Sequence, residues 1–345
     1  MEKLTGGPQD EEIFCRAGAI IKQGGLVAFP TETVYGLGGD ALRPDAAKRI
    51  YAAKGRPSDN PLIVHIAAHQ DMEQLVKSMP EEAYRLAEAF WPGPLTLILG
   101  KNDRVPLETT GGLSTVAIRE PDHPAALSFI AKAGGFIAAP SANRSGRPSP
   151  TSASHVMEDL AGEIDMILDG GETAVGIEST ILDLSEAVPT ILRPGFITQE
   201  ALSAVIGPVR MDPGLLREDT AVRPKAPGMK YRHYAPRAEV ILVSGDKDAV
   251  IRKINELSLS MKSTGKKVGI ISSDETKDCY PHGLVIPLGS RRDEKSIARH
   301  LYDVLRSFDR TDVSVIYSES FEGPGLLTAV MNRLLKAAGH KEIRV

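Results

Sequence analysis

Short apolar runs bounded by glycine, proline or aspartate recur through the first two thirds of this chain and limit the folds open to it. Such runs are typical of buried strands. They include "GLVAF", "NPLIVHIA", "LTLILG", "STVAIRE", "GGFIAAP", "MILDGG" and "STILDLS". Helical patterns such as "DAAKRIYAAK" and "PEEAYRLAEAFW" interrupt them irregularly. This irregular alternation predicts an α/β fold built on a twisted mixed sheet rather than a strictly wound parallel sheet.

The pattern changes after residue 208. The stretch 209–237 carries four prolines and a cluster of cations without sustained apolar periodicity, which is the composition of a linker. From residue 238 onward, strands and helices alternate regularly, as in a smaller Rossmann-like βαβ domain. We therefore predict a domain over 1–208, a linker over 209–237 and a second domain over 238–345.

Charge and cysteine content exclude several classes of protein. Residues 1–210 carry 18 Lys and Arg against 27 Asp and Glu, a net charge of −9, whereas the rest carries 23 against 18, or +5. An acidic first domain argues against strong nucleic-acid binding there. Two distant cysteines exclude a disulfide framework and CxxC metal sites. No apolar run is long enough to span a bilayer and the acidic start is unlike a signal peptide, so we expect a cytoplasmic protein.

One proline-punctuated loop concentrates cations just before an apolar strand. In "YAAKGRPSDNPLIVHI" a single glycine separates Lys54 from Arg56, and Asn60 follows. Arginine offers a planar fork for phosphate or carboxylate, and lysine a mobile point charge. Taken alone, the loop also fits an ordinary solvated basic surface.

Further polar clusters follow other predicted strands. The segment "AAPSANRSGRPSP" supplies hydroxyls and an amide after a strand. The segment "PTETVYGLGG" supplies three side chains that can form hydrogen bonds, and "GIEST" supplies three more such side chains. Arg119 and Arg193 leave the ends of apolar strands. Strand ends are where α/β folds bind ligands. Each cluster alone also fits a polar connection or a surface ion pair.

Other chemistries lack their signatures. Neither GxxxxGK[ST] nor GxGxxG occurs, so a Walker A loop and a standard dinucleotide site are not expected. His65 and His69 have no third ligand nearby and His65 falls in a strand, so we predict no protein-held metal.

The KxR loop with Lys54 and Arg56, combined with the SxN loop of Ser141 and Asn143, resembles the signature of the YrdC-like family. The phrases "FPTETVYGLG", "KGRPSDNPL", "WPGPLT", "APSAN" and "GIEST" extend the resemblance through residues 14–205. The motif "APGMKYRHYAP" and the final βαβ domain resemble the long, two-domain form of that family.

The resemblance implies a nucleotidyltransferase that condenses L-threonine, bicarbonate or CO2, and ATP into threonylcarbamoyl-adenylate and pyrophosphate. Mg2+ is expected on the triphosphate rather than in a protein cage. The product is expected to pass to a separate tRNA threonylcarbamoyltransferase complex that modifies adenosine 37 of ANN-decoding tRNAs. Direct stable binding of tRNA is not expected.

The resemblance also implies roles for individual residues. Those expected to act in catalysis, around the phosphates, are Lys54, Arg56, Ser141 and Asn143. Those expected to hold ATP are Arg56, Asn60, Thr115, Ser141, Ser149 and Arg193, with Tyr231 reaching the nucleotide from a lid formed by the linker. Those expected to hold L-threonine are Thr33, His65, Arg119, the Ala139 backbone and Ser179.

Two alternatives remain at this stage. A structured-RNA-binding module would use a basic concave surface, which the −9 charge of residues 1–210 disfavours. Hydrogenase-maturation carbamoyltransferases embed a similar domain, but they also carry an acylphosphatase domain and cysteine-rich zinc motifs, and this chain has neither.

Overall fold

A mixed sheet organises the first part of the chain in the computed structural model, which describes residues 1–216 and 233–345. Within residues 1–216 its strands are β1 (Glu2–Lys3), β2 (Val27–Phe29), β3 (Gly36–Asp40), β4 (Ile63–Ile66), β5 (Leu95–Gly100), β6 (Thr115–Arg119), β7 (Phe136–Ala139), β8 (Met166–Asp169), β9 (Thr180–Asp183), β10 (Thr190–Arg193) and β11 (Arg210–Met211). These 11 strands lie in the order β1-β8-β2-β3-β7-β4-β6-β5-β9-β10-β11. Parallel and antiparallel pairs both occur, for example β4 with β6 and β4 with β7, so the predicted mixed α/β sheet is confirmed.

Helices cover both faces of this sheet. They are α1 (Asp10–Lys22), α2 (Pro44–Lys54), α3 (Glu81–Phe90), α4 (Pro124–Lys132), α5 (Ala153–Leu160) and α6 (Gln199–Ile206). Phe14 of α1 and Phe129 of α4 belong to one buried cluster, whereas Ile50 of α2 and Leu86 of α3 belong to another. The sequence "DAAKRIYAAK", predicted to be helical, forms α2, and its residues Ile50 and Tyr51 are buried.

Strand β3 was not predicted, because its sequence "GLGGD" reads as glycine-rich turn backbone. Its glycines are needed for packing: a Cβ on Gly36 would lie 3.0 Å from the Phe29 ring, and one on Gly38 would lie 2.8 Å from Ile137. Glycine in a strand interior often marks such a close approach. The glycines thus allow β3 to pack between larger side chains of its two neighbours.

The second part of the chain contains a parallel sheet. Its strands are β12 (Glu239–Ser244), β13 (Val268–Ser272), β14 (Leu284–Pro287), β15 (Val315–Glu319) and β16 (Glu342–Arg344), and its helices are α7 (Lys247–Ser263), α8 (Glu294–Phe308) and α9 (Leu326–Ala337). Within residues 233–345 the five strands lie in the order β14-β13-β15-β12-β16, and every pair is parallel. This smaller sheet confirms the predicted Rossmann-like pattern.

The described residues separate into two units. One contains 1–145 and 149–216, and the other contains 146–148 and 233–345. Residues 217–232 of the predicted linker lie outside the described residues. No helix formed by the described parts of the chain is both long enough and apolar enough to cross a membrane.

His65 lies in the middle of the large sheet and is 4% exposed. Its strand β4 pairs with β6 and β7, its Nδ1 donates to the Ile63 carbonyl at 3.2 Å, and its ring meets Phe29 edge-on at 5.7 Å. Burial, and secondarily the nearby Arg119 cation, lower the pKa of His65 from 6.5 to about 3. The imidazole is therefore neutral at physiological pH.

This low pKa predicts an acid sensitivity that depends on one residue. Between about pH 6.5 and pH 3 the unfolded chain binds a proton at His65 and the folded chain does not, so folding stability falls as the pH falls through that range. Substituting His65→Asn removes the titration. We expect the wild type to lose about 2–3 kcal/mol more than the variant between pH 7 and pH 4.5. Urea unfolding of both proteins across that range tests this, and parallel stability curves would contradict it.

Candidate active site

Backbone hydrogen bonds join three segments of the first unit: residues 30–35, residues 170–179, and the parts of loop 140–150 that belong to this unit, 140–145 and 149–150. Tyr35 donates its N–H to the Pro150 carbonyl at 2.9 Å, and its own carbonyl accepts from the Ala142 N–H at 2.8 Å. The Thr33 carbonyl accepts from the Gly176 N–H at 3.2 Å. The polar clusters that the sequence places after separate strands are therefore parts of one bonded framework.

Lys54 connects this framework to a fourth loop, at 55–61. It is the last residue of α2, and Gly55 takes the left-handed conformation (φ 59°) that ends the helix and turns the chain. The Lys54 side chain is 4% exposed, and its Nζ donates to the carbonyls of Ser141 and, at 2.5 Å, Asn143. The KxR and SxN motifs are thus in direct contact.

The SxN side chains also bond to each other. Ser141 Oγ donates to Asn143 Oδ1 at 2.6 Å, and Asn143 Nδ2 donates to the Arg144 carbonyl at 2.8 Å. Ser141 is half-buried and Asn143 is 6% exposed. This local network fixes a hydroxyl and an amide beside the Lys54 ammonium.

Arg56 and Asn60 lie at the two ends of loop 55–61. Arg56 Nη2 donates to the carbonyls of Asn60 at 3.3 Å and Pro61 at 3.4 Å. Asn60 is 1% exposed, and its Oδ1 has no hydrogen-bond partner among the residues that the structure describes. A buried amide oxygen without a donor is costly, so this position favours a ligand that supplies an N–H or O–H.

Thr115 lies beside this loop. It begins β6 and is half-buried. Because β4 and β6 are parallel with Ile63 opposite Ala117, the start of β6 lies next to the end of loop 55–61. The structure thus places all six residues from Lys54 to Asn143 that were assigned to catalysis or ATP in one region.

A buried ion pair forms a second polar group of residues. Arg119 Nη2 lies 2.7 Å from Glu32 Oε1, and Arg119 Nε donates to the Gly93 carbonyl at 3.3 Å. The two charged side chains are 4% and 9% exposed. Arg119 pairs in register with His65, and Thr33 follows Glu32 directly, with its Oγ1 2.8 Å from Thr31 Oγ1.

A third group surrounds the "GIEST" segment. Ser179 Oγ lies 2.7 Å from Thr96 Oγ1, and Arg193 donates to the Ser179 carbonyl at 3.0 Å and to its Oγ at 3.1 Å. Ser149 Oγ donates to Glu178 Oε1 at 2.5 Å. The structure therefore brings two residues assigned to ATP, Ser149 and Arg193, against the segment that carries Ser179, which was assigned to threonine.

Two carboxylates of this site received no role from the sequence. Glu32 was noted only as one hydrogen-bonding group in "PTET", and Glu178 only as part of "GIEST". Their signal was the presence of an acid within a motif next to predicted cations, but only the fold pairs Glu32 with Arg119 across 87 residues. Buried charges of this kind are normally paired.

Of the remaining candidates, Ala139 is 1% exposed and ends β7, where it pairs with Ile63. Tyr231, assigned to a lid, lies outside the described residues. Among the residues with described positions, no group of three His, Cys, Asp or Glu side chains could hold a metal ion.

The arrangement is suited to binding anions. Four cations (Lys54, Arg56, Arg119 and Arg193) belong to segments joined by hydrogen bonds. Of the four carboxylates in those loops, Glu32 is paired with Arg119 and Glu178 accepts from Ser149, and the other two are Asp59 and Glu172. Buried guanidinium and ammonium groups with preset partners can bind phosphate or carboxylate with little reorganisation.

Known protein families match most of the chain. The Sua5/YciO/YrdC family model, described as "Telomere recombination", matches residues 19–195, and a model described as "Threonylcarbamoyl-AMP synthase, C-terminal domain" matches residues 197–339. Threonylcarbamoyl-AMP synthase of Pyrococcus abyssi is 55% identical over 95% of both chains. The Bacillus subtilis enzyme of that name is 48% identical over 99% of this chain and 96% of its own.

A solved structure is similar to this chain along its full length. The crystal structure of P. abyssi Sua5 complexed with L-threonine is 52% identical, covers 100% of this chain and 98% of its own, and superposes with a TM-score of 0.93. On the strength of the family models and these full-length similarities, this chain belongs to the Sua5/YciO/YrdC family, in its two-domain form with the threonylcarbamoyl-AMP synthase C-terminal domain.

Proposed function

We propose that this chain is an L-threonylcarbamoyladenylate synthase, which condenses L-threonine, bicarbonate or CO2, and ATP into threonylcarbamoyl-AMP and pyrophosphate. The observation that carries the proposal is the hydrogen-bonded site in which Lys54 contacts the Ser141–Asn143 loop while Arg119 and Glu32 form a buried pair nearby in the same framework. Its relatives named threonylcarbamoyl-AMP synthase, at 55% and 48% identity, support this choice of reaction.

ATP would lie against loop 55–61 and residues 140–145. Arg56, Ser141 and Asn143 supply donors for its phosphates, and Lys54 supplies positive charge while holding the loop that carries the other two. The unpartnered Asn60 Oδ1 offers an acceptor for the nucleotide. Ser149, Arg193 and Thr115 complete the proposed ATP contacts, and Mg2+ would bind to the triphosphate itself.

L-threonine would lie near Arg119. The planar guanidinium is the natural partner of the amino-acid carboxylate, and Glu32, already paired with Arg119, offers a carboxylate for the ammonium group. His65 beside them is neutral, so it adds polarity without a second positive charge to repel the ammonium. Thr33, the Ala139 backbone and Ser179 complete the proposed contacts.

The chemistry needs positioning more than covalent participation by the protein. The threonine ammonium loses a proton to solvent, the resulting amine attacks CO2, and loss of a second proton from nitrogen to solvent gives the carbamate. A carbamate oxygen then attacks the α-phosphorus, and the bond to the β-phosphate oxygen breaks to release pyrophosphate. Fixed cations stabilise the negative charge that accumulates between these reactants, and their placement supplies the rate enhancement.

The linker and the downstream steps complete the proposal. Tyr231 and its neighbours in the linker would cover the nucleotide and exclude water from the labile adenylate. The product would pass to a separate cytoplasmic tRNA threonylcarbamoyltransferase complex, with no stable complex between this chain and tRNA.

The reaction assignment is tested by measuring pyrophosphate release from ATP while L-threonine and bicarbonate are each omitted in turn. Release should require both, because the carbamate is the nucleophile. Release that is indifferent to threonine would contradict the proposal, and so would release with L-serine at the same rate.

Lys54→Met tests the connection between the two motifs. Losing the ammonium removes both the charge and the hydrogen bonds to loop 140–150, so kcat/KM for ATP should fall about 100-fold or more. The matched control is Lys48→Met, which removes a cation from the same helix that is 70% exposed. Equal losses in the two variants would contradict a specific role for Lys54; circular dichroism checks that both are folded.

Arg119→Lys and Arg193→Lys separate the two substrates. Lysine keeps the charge but loses the planar fork. We expect Arg119→Lys to raise the KM for threonine about 10-fold or more with little change for ATP, and Arg193→Lys to do the reverse. The same pattern in both variants would show that the assignment of the arginines is wrong.

A further inference from the structure

The second unit contains a cavity at the carboxyl edge of its parallel sheet. Its volume is about 220 Å3, and the residues that line it include Gly245, Lys247, Arg291, Glu319, Ser320 and Glu322. Drug-sized ligand sites start at roughly 300 Å3, so this cavity suits a smaller metabolite. All these residues belong to the second unit, whereas the residues with described positions that are assigned above to ATP and threonine belong to the first.

The cavity lies where a parallel sheet of this order binds ligands. Strands β12 and β15 are neighbours, but the connection from β12 runs through α7 to β13 on one side, and that from β15 runs through α9 to β16 on the other. Because such crossovers are right-handed, α7 and α9 lie on opposite faces, and a crevice opens between the two strand ends. Gly245 follows β12 and Ser320 follows β15, so the cavity occupies this crevice.

Hydrogen bonds fix the Arg291 guanidinium at the cavity through one nitrogen, Nη2. Its Nη2 donates to Glu319 Oε2 at 2.6 Å and to the Ser320 carbonyl at 3.0 Å, and its guanidinium lies 4.9 Å from the centre of the Phe321 ring. The side chain is still 36% exposed, and among the described residues its Nε and Nη1 have no hydrogen-bond partner. A guanidinium fixed through one nitrogen presents the other two without a further loss of side-chain entropy.

Glu319 serves to fix Arg291. It is 1% exposed, and its Oε1 accepts hydrogen bonds from the Thr276 hydroxyl and, at 2.6 Å, from the Tyr280 hydroxyl. Burial and this carboxylate raise the pKa of Tyr280 well above its usual value, so the phenol remains a donor. Both carboxylate oxygens of the buried Glu319 accept hydrogen bonds, and one of these bonds orients the partly exposed Arg291.

Two other polar groups of the cavity complement an anion, whereas a third, the exposed carboxylate of Glu322, does not. Lys247 is an exposed second cation that lines the cavity, and Ser320 is 8% exposed. Two N-terminal amides of α7, those of Asp248 and Ala249, already donate to Asp246, so they are not available to an anion.

We propose that this cavity is a binding site for a small metabolite bearing one carboxylate or phosphoryl group, held by Arg291 and Lys247. The oxyanion lies between the free edge of the guanidinium and the ammonium, with the Ser320 hydroxyl beside it. The site is independent of the proposed synthesis of threonylcarbamoyl-AMP. It gives the second unit a ligand of its own.

Hydrogen exchange of the full-length chain, followed by mass spectrometry, tests the site. The probes are inorganic phosphate and acetate, each at about 20 mM, which populates a site of millimolar affinity. Potassium chloride at equal ionic strength is the reference. One or both probes should slow exchange in peptides that cover 244–250, 289–293 and 318–323, and the probe that does so identifies the class of oxyanion.

Variants distinguish this site from general anion binding. Lys247→Gln should abolish most of the protection, whereas Lys253→Gln, at another lysine of α7 that pairs with Glu256, should leave it unchanged. Lys247 has no structural partner among the described residues, so its loss should not unfold the unit. Pyrophosphate release should be unchanged in both variants. Absence of protection with both probes, or equal protection in Lys247→Gln and the wild type, would overturn the proposal.

Discussion

The hydrogen bonds from the buried Lys54 ammonium to the carbonyls of Ser141 and Asn143 are the interaction on which the candidate site depends. An ammonium that is 4% exposed is costly unless its donors are used, and here backbone oxygens of a distant loop use them. These bonds offset the cost when residues 141–143 lie against the end of α2. The same contact therefore positions Ser141 and Asn143 and places positive charge beside them.

The buried Arg119–Glu32 pair likewise offsets the cost of burying charge, in the part of the site proposed to bind the amino acid. Breaking a buried pair by removing one partner leaves an uncompensated charge, so the two residues hold each other in position before any ligand arrives. An amino acid carries both a carboxylate and an ammonium group, and it can replace each half of this interaction without leaving a charge unpaired. The neutral His65 next to Arg119 keeps the net charge of this region low.

Much of this organisation could be predicted from the sequence, and the exceptions have physical causes. Strands with continuous apolar runs, such as Phe136–Ala139, were predicted, because burial on both faces requires such runs. Strand β3 was missed because its glycines are required by the neighbouring Phe29 and Ile137, which no local pattern reveals. The partnerships of Glu32 with Arg119 and of Ser149 with Glu178 join distant segments, so only the sheet order exposes them. The cavity at Arg291 was missed for the same reason, since its walls come from three separate strand ends.

The proposed site is tested most directly by a crystal structure of the chain with L-threonine and a non-hydrolysable ATP analogue. We predict that the α-phosphate lies within hydrogen-bond distance of Ser141 Oγ or the Arg56 guanidinium, and that the threonine carboxylate lies on Arg119. A nucleotide that contacts neither loop 55–61 nor residues 141–143 would contradict this prediction. So would a threonine carboxylate that leaves the Arg119–Glu32 pair untouched.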